Sequence, residues 1–172
     1  MQIITRDLWL GRASMELGTL FEQAGSRIED DPLVTTTSSC RDCAERMERS
    51  KRSPLGFTVS RWDTPDGVNR IFISHLLADK IDVLGVLVHE LCHVADDCES
   101  GHRGRFVRIA RSVGLVGKPR TAHAGEGPRR FLEALDLPDY PATGRGTSGD
   151  SPAVLVIDAD LGFCVACWRS HR

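Results

Sequence analysis

The residues of this chain best suited by type and spacing to do chemistry are His89, Glu90 and His93, in the run His89-Glu90-Leu91-Cys92-His93. The run lies within Ile81 to Ala95, whose pattern predicts a helix. A separation of about one helical turn puts both imidazoles on one face, where they can share one Zn²⁺. Glu90 then stands beside the metal, placed to take a proton from an activated water but not to be a third ligand in the usual arrangement. Histidine and glutamate at this spacing therefore carry separate tasks, metal binding and base catalysis. The alternative is a chance match on an ordinary helix.

The surrounding residues favour the chemical reading, because they supply the helix that would position the motif. Asp79 and Asp82 suit a helix N-terminus, and Ile81, Leu84, Leu87, Val88 and Leu91 make an apolar face on the side away from the histidines. Upstream, Leu10, Ala13, Leu17, Leu20, Phe21 and Ala24 recur at helical spacing over Asp7 to Ala24, and Gly25 ends that helix. Between Leu33 and Ser74 the pattern becomes that of short strands: Leu33 to Ser38, Gly56 to Arg61, and Asn69 to Ser74. Asp63-Thr64-Pro65-Asp66-Gly67 has the turn residues for a hairpin between the last two. Cys40 to Ser53 is charged and reads as a loop or a helical excursion. After the motif, Asp96 to Gly101 reads as a turn and His102 to Val113 as a third helix, ending at Gly114. Gly117 to Pro128 is polar with Gly and Pro, Arg129 to Leu135 fits a short helix, and Pro138 to Pro152 has linker composition.

A length of 172 residues, with 41% hydrophobic and 27% charged, fits one soluble domain with a modest core and a small appendage. We expect a main domain over residues 1–142 and a tail over 143–172 that holds one apolar strand, Ala153 to Ile157. The formal net charge of −2 gives no global electrostatic case for nucleic acid or membrane. No apolar run is long enough to span a bilayer, and the first residues lack a signal-peptide layout, so a cytosolic location is expected. In a reducing compartment the C-x-x-C pairs Cys40/Cys43 and Cys164/Cys167 point to metal or redox chemistry before disulfides. Cys92, among apolar neighbours on the motif helix, reads as a small core residue.

A catalytic zinc usually takes three protein ligands, so one more donor is expected downstream. The long zincin pattern with a histidine six residues past His93 fails, because Glu99 stands there and Asp96 occupies the place of a required glycine. Glu126 and Glu133 lack a confident helix to present them. Asp96 shares the histidine face but would sit too far along the same helix to close a tetrahedral site. His102, after a turn and at the start of the next helix in Gly101-His102-Arg103-Gly104-Arg105-Phe106, is the better choice.

Phe72-Ile73-Ser74, then Val88-His89-Glu90-Leu91-Cys92-His93, then Gly101-His102 with Phe106, and Gly114-Leu115 together resemble the SprT-like zinc metallopeptidases, especially their small phage-encoded members. The likeness runs from about Leu8 to Tyr140. It implies an α+β, minimal zincin-like fold with a small three-stranded sheet, three main helices and a short carboxy-terminal appendage. It also implies zinc held by His89, His93 and His102, with Glu90 as the catalytic glutamate. The wider family often carries a carboxy-terminal zinc ribbon with two cysteine pairs, whereas here only Cys164 and Cys167 stand near the end. A truncated ribbon without metal and a second zinc site completed by His171, or by Cys40 and Cys43, both stay open.

The expected activity is zinc-dependent peptide-bond hydrolysis with Glu90 as general base, on a peptide or protein substrate. The likeness, which extends to the DNA-dependent protease Spartan, implies substrates bound or crosslinked to DNA, in a bacterial or phage-infected cytosol. Arg103, Arg105, Arg108 and Arg111 could meet a phosphate backbone or form a solvated face. Strand Asn69 to Ser74 could be the sheet edge on which a peptide lies, as in other zincins. Two rival readings are a non-catalytic zinc-containing DNA- or protein-binding module and a zinc hydrolase acting on other bonds.

Overall fold

Thr5 starts the first helix by placing its hydroxyl as acceptor for the Leu8 N–H at 3.3 Å, and α1 runs from Arg6 to Gln23. The computed structural model describes residues 5–36 and 55–141. α1 stops at Ala24, followed by Gly25 with φ +68°, the left-handed conformation expected of a helix-ending glycine. Of the stripe that the spacing predicts, Leu10, Ala13, Leu17 and Phe21 are buried and Leu20 and Ala24 half-buried, and Trp9 is buried beside them.

Three short strands follow: β1 (Leu33–Thr36), β2 (Gly56–Val59) and β3 (Arg70–Ile73). β2 and β3 pair antiparallel, with Phe57 opposite Phe72 and their rings stacked at 4.7 Å, so the expected hairpin is present. A short 3-10 turn, Arg61–Asp63, and Gly67 at φ +68° close it. β1 joins the other side of β3 in parallel, which gives a mixed sheet of order β1-β3-β2. This corrects one expectation: the strand before the motif helix is the central one and cannot be the edge. Both of its hydrogen-bonding sides are taken, and β2 has no strand on its other side among the described residues.

α2 (Lys80–Ala95) carries the motif and begins at Asp79, whose Oδ1 accepts from the Ile81 and Asp82 N–H groups. Val83, Leu84, Leu87, Val88 and Leu91 are wholly buried between α1, the sheet and α3 (Gly104–Ser112). Each such side chain contributes roughly 1.5–3 kcal/mol of burial. Cys92 is a free thiol buried in the same core, its pKa pushed up by burial, as read from its neighbours.

Two elements lie beyond the expected set. β4 (Leu115–Val116) and β5 (His123–Ala124) form a second, two-stranded antiparallel sheet where the sequence suggested only a loop. Gly114 and Gly125 permit it: a Cβ on Gly114 would lie 2.5 Å from Pro128 Cγ, and one on Gly125 2.8 Å from the Gly114 carbonyl oxygen. α4 (Glu126–Ala134) is the expected short helix, begun a turn earlier, so the described protein is α+β with four α-helices. α3 starts at Gly104, which leaves His102 in the turn before it and not on the helix. No helix among the described residues is long and apolar enough to cross a membrane. The tail 143–172, with its expected strand, and Cys40, Cys43, Cys164, Cys167 and His171 lie outside the described residues.

Candidate metal centre

His89 and His93 sit one turn apart on α2, and their ring centroids are 5.4 Å apart. A third imidazole reaches them because α2 ends in a tight reversal. The Asp97 N–H donates to the Val94 carbonyl at 2.9 Å and the Cys98 N–H to the His93 carbonyl at 2.8 Å, the paired bonds of a Schellman motif. Asp97 and Cys98 both adopt left-handed φ, 52° and 58°, where glycine is usual. Two side-chain contacts hold the reversal in that shape. Arg61 pairs with Asp97 at 3.0 Å, and the buried Asp96 carboxylate accepts from the Ser100 N–H and Oγ, both at 2.8 Å. Gly101, at φ 55°, then turns the chain so that His102 returns over α2.

The ligand-capable atoms of His89, His93 and His102 all lie within 4.8 Å of one another, so the three histidines can hold a metal ion. The Nε2 atoms of His89 and His102 are 3.2 Å apart. Two nitrogens at ordinary zinc–nitrogen distances on a tetrahedron are separated by roughly 3.3 Å, so this pair is already spaced as ligands. Phe106 closes the cluster from behind, its ring centroid 4.3 Å from His93, 5.0 Å from His102 and 5.2 Å from His89. The Ala122 backbone beside His89 acts against the effect of burial, raising the pKa of the ring.

Electrostatics favour neutral rings. Burial, and then the neighbouring His102, hold His89 at about 4; burial and the other two imidazoles hold His93 at about 3. His102 is lowered by burial and by Arg120. Neutral imidazoles present lone pairs to a cation, so the donor set fits a divalent metal ion.

Glu90 is 5% exposed, and burial pushes its carboxyl up to about 7 against the opposing effect of a hydrogen bond from Thr58. Thr58 Oγ1 lies 2.9 Å from Glu90 Oε2. Glu90 and the three histidines share the wall of one cleft of about 1220 Å³. β2 bounds it on one side and Arg120 to Ala124, running into β5, on the other.

The other candidate ligands are engaged elsewhere. Asp96 is fully buried and bound to Ser100, while the exposed Glu126 and Glu133 pair with Arg130 and Arg129. Thr58, Asp96 in its capping role, Ala122 and Arg120 are site residues that sequence reasoning missed. Only Asp96 left a signal, its place on the histidine face. Compared with protein-family models, curated proteins and solved structures, the chain matches none of the three.

Proposed function

We propose that the protein is a zinc-dependent metallopeptidase of the SprT-like zincin type. The observation that carries this reading is the convergence of His89, His93 and His102 beside the buried carboxylate of Glu90 in one cleft. Zinc, when bound by the three histidines, supplies Lewis acidity that polarises a carbonyl and makes water a better nucleophile near neutral pH. Glu90 accepts the proton of the attacking water and returns it to the leaving amine. Among the described residues β2 has no strand on its outer side, and that edge runs along the cleft, where an extended peptide can bind by backbone hydrogen bonds.

A structural zinc module is the weaker reading. Structural zinc is generally four-coordinate and rich in cysteine, whereas this cluster has three histidines, and the nearby Cys98 does not join it. DNA-bound proteins are the substrate class suggested by the SprT-like resemblance. Exposed Arg103, Arg105, Arg108 and Arg111 support it, since they form no ion pair among the described residues. The test is hydrolysis of an unstructured protein by the zinc-loaded chain. We expect a chelator to abolish cleavage and added zinc to restore it. A zinc-loaded protein that cleaves no peptide bond would favour the binding module.

A further inference from the structure

β2 does more than border the cleft. Side chains alternate along a strand, so Gly56 and Thr58 share the face turned to α2, while Phe57 stacks on Phe72. At Gly56 the strand lies directly on the helix: a Cβ there would be 2.7 Å from Val86 Cγ1 and 3.1 Å from both Glu90 Cγ and Oε1. Only glycine lets β2 approach this closely, and the next residue on that face is Thr58. Its Oγ1 is 2.9 Å from Glu90 Oε2 and 3.2 Å from the Glu90 backbone carbonyl. The carbonyl lies inside α2 and already has a helical donor, and the hydroxyl has a single proton. The nearer carboxylate oxygen, with no other donor on it among the described residues, is the acceptor the geometry favours.

We propose that Thr58 is a positioning residue for Glu90, its hydroxyl fixing the carboxylate from the same strand that walls the cleft. Glu90 has several rotatable bonds; among the described residues Thr58 is the side chain within hydrogen-bond distance of its carboxylate, and the close approach of Gly56 confines the other oxygen. A base held in one orientation reaches its proton without a search, which is where positioning affects rate. The effect on rate rests on the peptidase reading above. The hydrogen bond itself does not.

Threonine is also a good strand former, and a purely structural role makes a different forecast. Valine keeps the branched shape and strand preference but loses the hydroxyl, whereas serine keeps the hydroxyl and loses the branch. If Thr58 only shapes the strand, Thr58→Val is harmless and Thr58→Ser is the damaging change. Positioning reverses that order. Thr58→Val should lower kcat roughly tenfold or more with KM and zinc content little changed, and Thr58→Ser should stay close to wild type. Independently of activity, a double-mutant cycle on the metal-free protein pairs Thr58→Val with Glu90→Ala in denaturant unfolding. Thr58→Val should destabilise the wild-type background more than the Glu90→Ala background. Additive effects in the cycle would overturn the proposal, as would unchanged kcat in Thr58→Val of an active enzyme. Coupling in the cycle with no peptidase activity in the wild type would uphold the Thr58–Glu90 bond and reject the peptidase reading instead.

Discussion

The Asp96 carboxylate binds Ser100 twice, accepting from its backbone N–H and from its Oγ at 2.8 Å each, and so fixes the reversal that brings His102 back over α2. Asp96 has no exposure to solvent, which leaves it no alternative partner in water. A residue considered from sequence as a metal ligand therefore acts at one remove, by holding the turn that carries one. Asp96→Asn keeps the shape but weakens charge-assisted acceptance. We expect it to lower zinc affinity roughly 10–100-fold, as loss of supporting contacts commonly does. Competition with a chelating dye measures this, and unchanged affinity would remove Asp96 from the account of the site.

What the sequence made legible, and what it hid, follows from the range of the interactions involved. α1 and α2 were readable because Leu10, Ala13 and Leu17, and Leu84, Leu87 and Leu91, repeat with the helical period and face one core. The β2–β3 hairpin was readable from the local turn residues. The place of β3 in the centre was not, since its parallel partner β1 comes from a segment distant in sequence and no local pattern encodes that pairing. β4 and β5 are too short for alternation to show, yet the turn before β5 brings Ala122 against His89. The motif histidines and His102 were accessible as residue types at telling spacings. Thr58 was hidden because only tertiary packing brings it to Glu90.

The three imidazoles should act as one site. His89→Ala, His93→Ala and His102→Ala are each expected to lower bound zinc from about one per chain to a small fraction, because a site with two protein ligands holds the metal weakly. Elemental analysis of the purified variants reads this directly. Full zinc in His102→Ala would remove His102 from the ligand set.

Stability of the metal-free protein should rise from about pH 4.5 and level off near pH 7. Between about 4.5 and 6.5 the unfolded chain holds protons on His89 and His93 that the folded protein lacks, while the folded protein holds one on Glu90 that the unfolded chain lacks. The unfolded state then binds more protons on balance, so stability rises with pH, and the lowering of His102 adds in the same direction. From about pH 7 upward the last histidine protons of the unfolded chain and the Glu90 proton of the fold, held at about 7, nearly cancel, so stability levels off. Denaturant midpoints at several pH values check the shape. In Glu90→Gln the opposing contribution is gone, so the rise between about pH 4.5 and 7 should be steeper, and an unchanged rise would take Glu90 out of the pH dependence.

If the arginines after His102 meet a phosphate backbone, added DNA should raise cleavage of a DNA-bound protein, and the rise should weaken as salt increases. Replacing Arg105, Arg108 and Arg111 together with Gln should reduce the DNA effect while leaving cleavage of a free unstructured protein intact. Cleavage indifferent to DNA at every salt concentration would leave a general peptidase as the description.

Glu90→Gln tests the central claim most directly. The substitution keeps size and the acceptor facing Thr58 but removes the base, so the variant should fold and bind zinc as the wild type does. We expect its peptidase activity, measured on the same unstructured protein at equal zinc content, to fall by roughly a hundredfold or more. Activity near the wild-type value in the zinc-loaded variant would contradict the assignment of Glu90 as general base, and with it the mechanism proposed for this cleft.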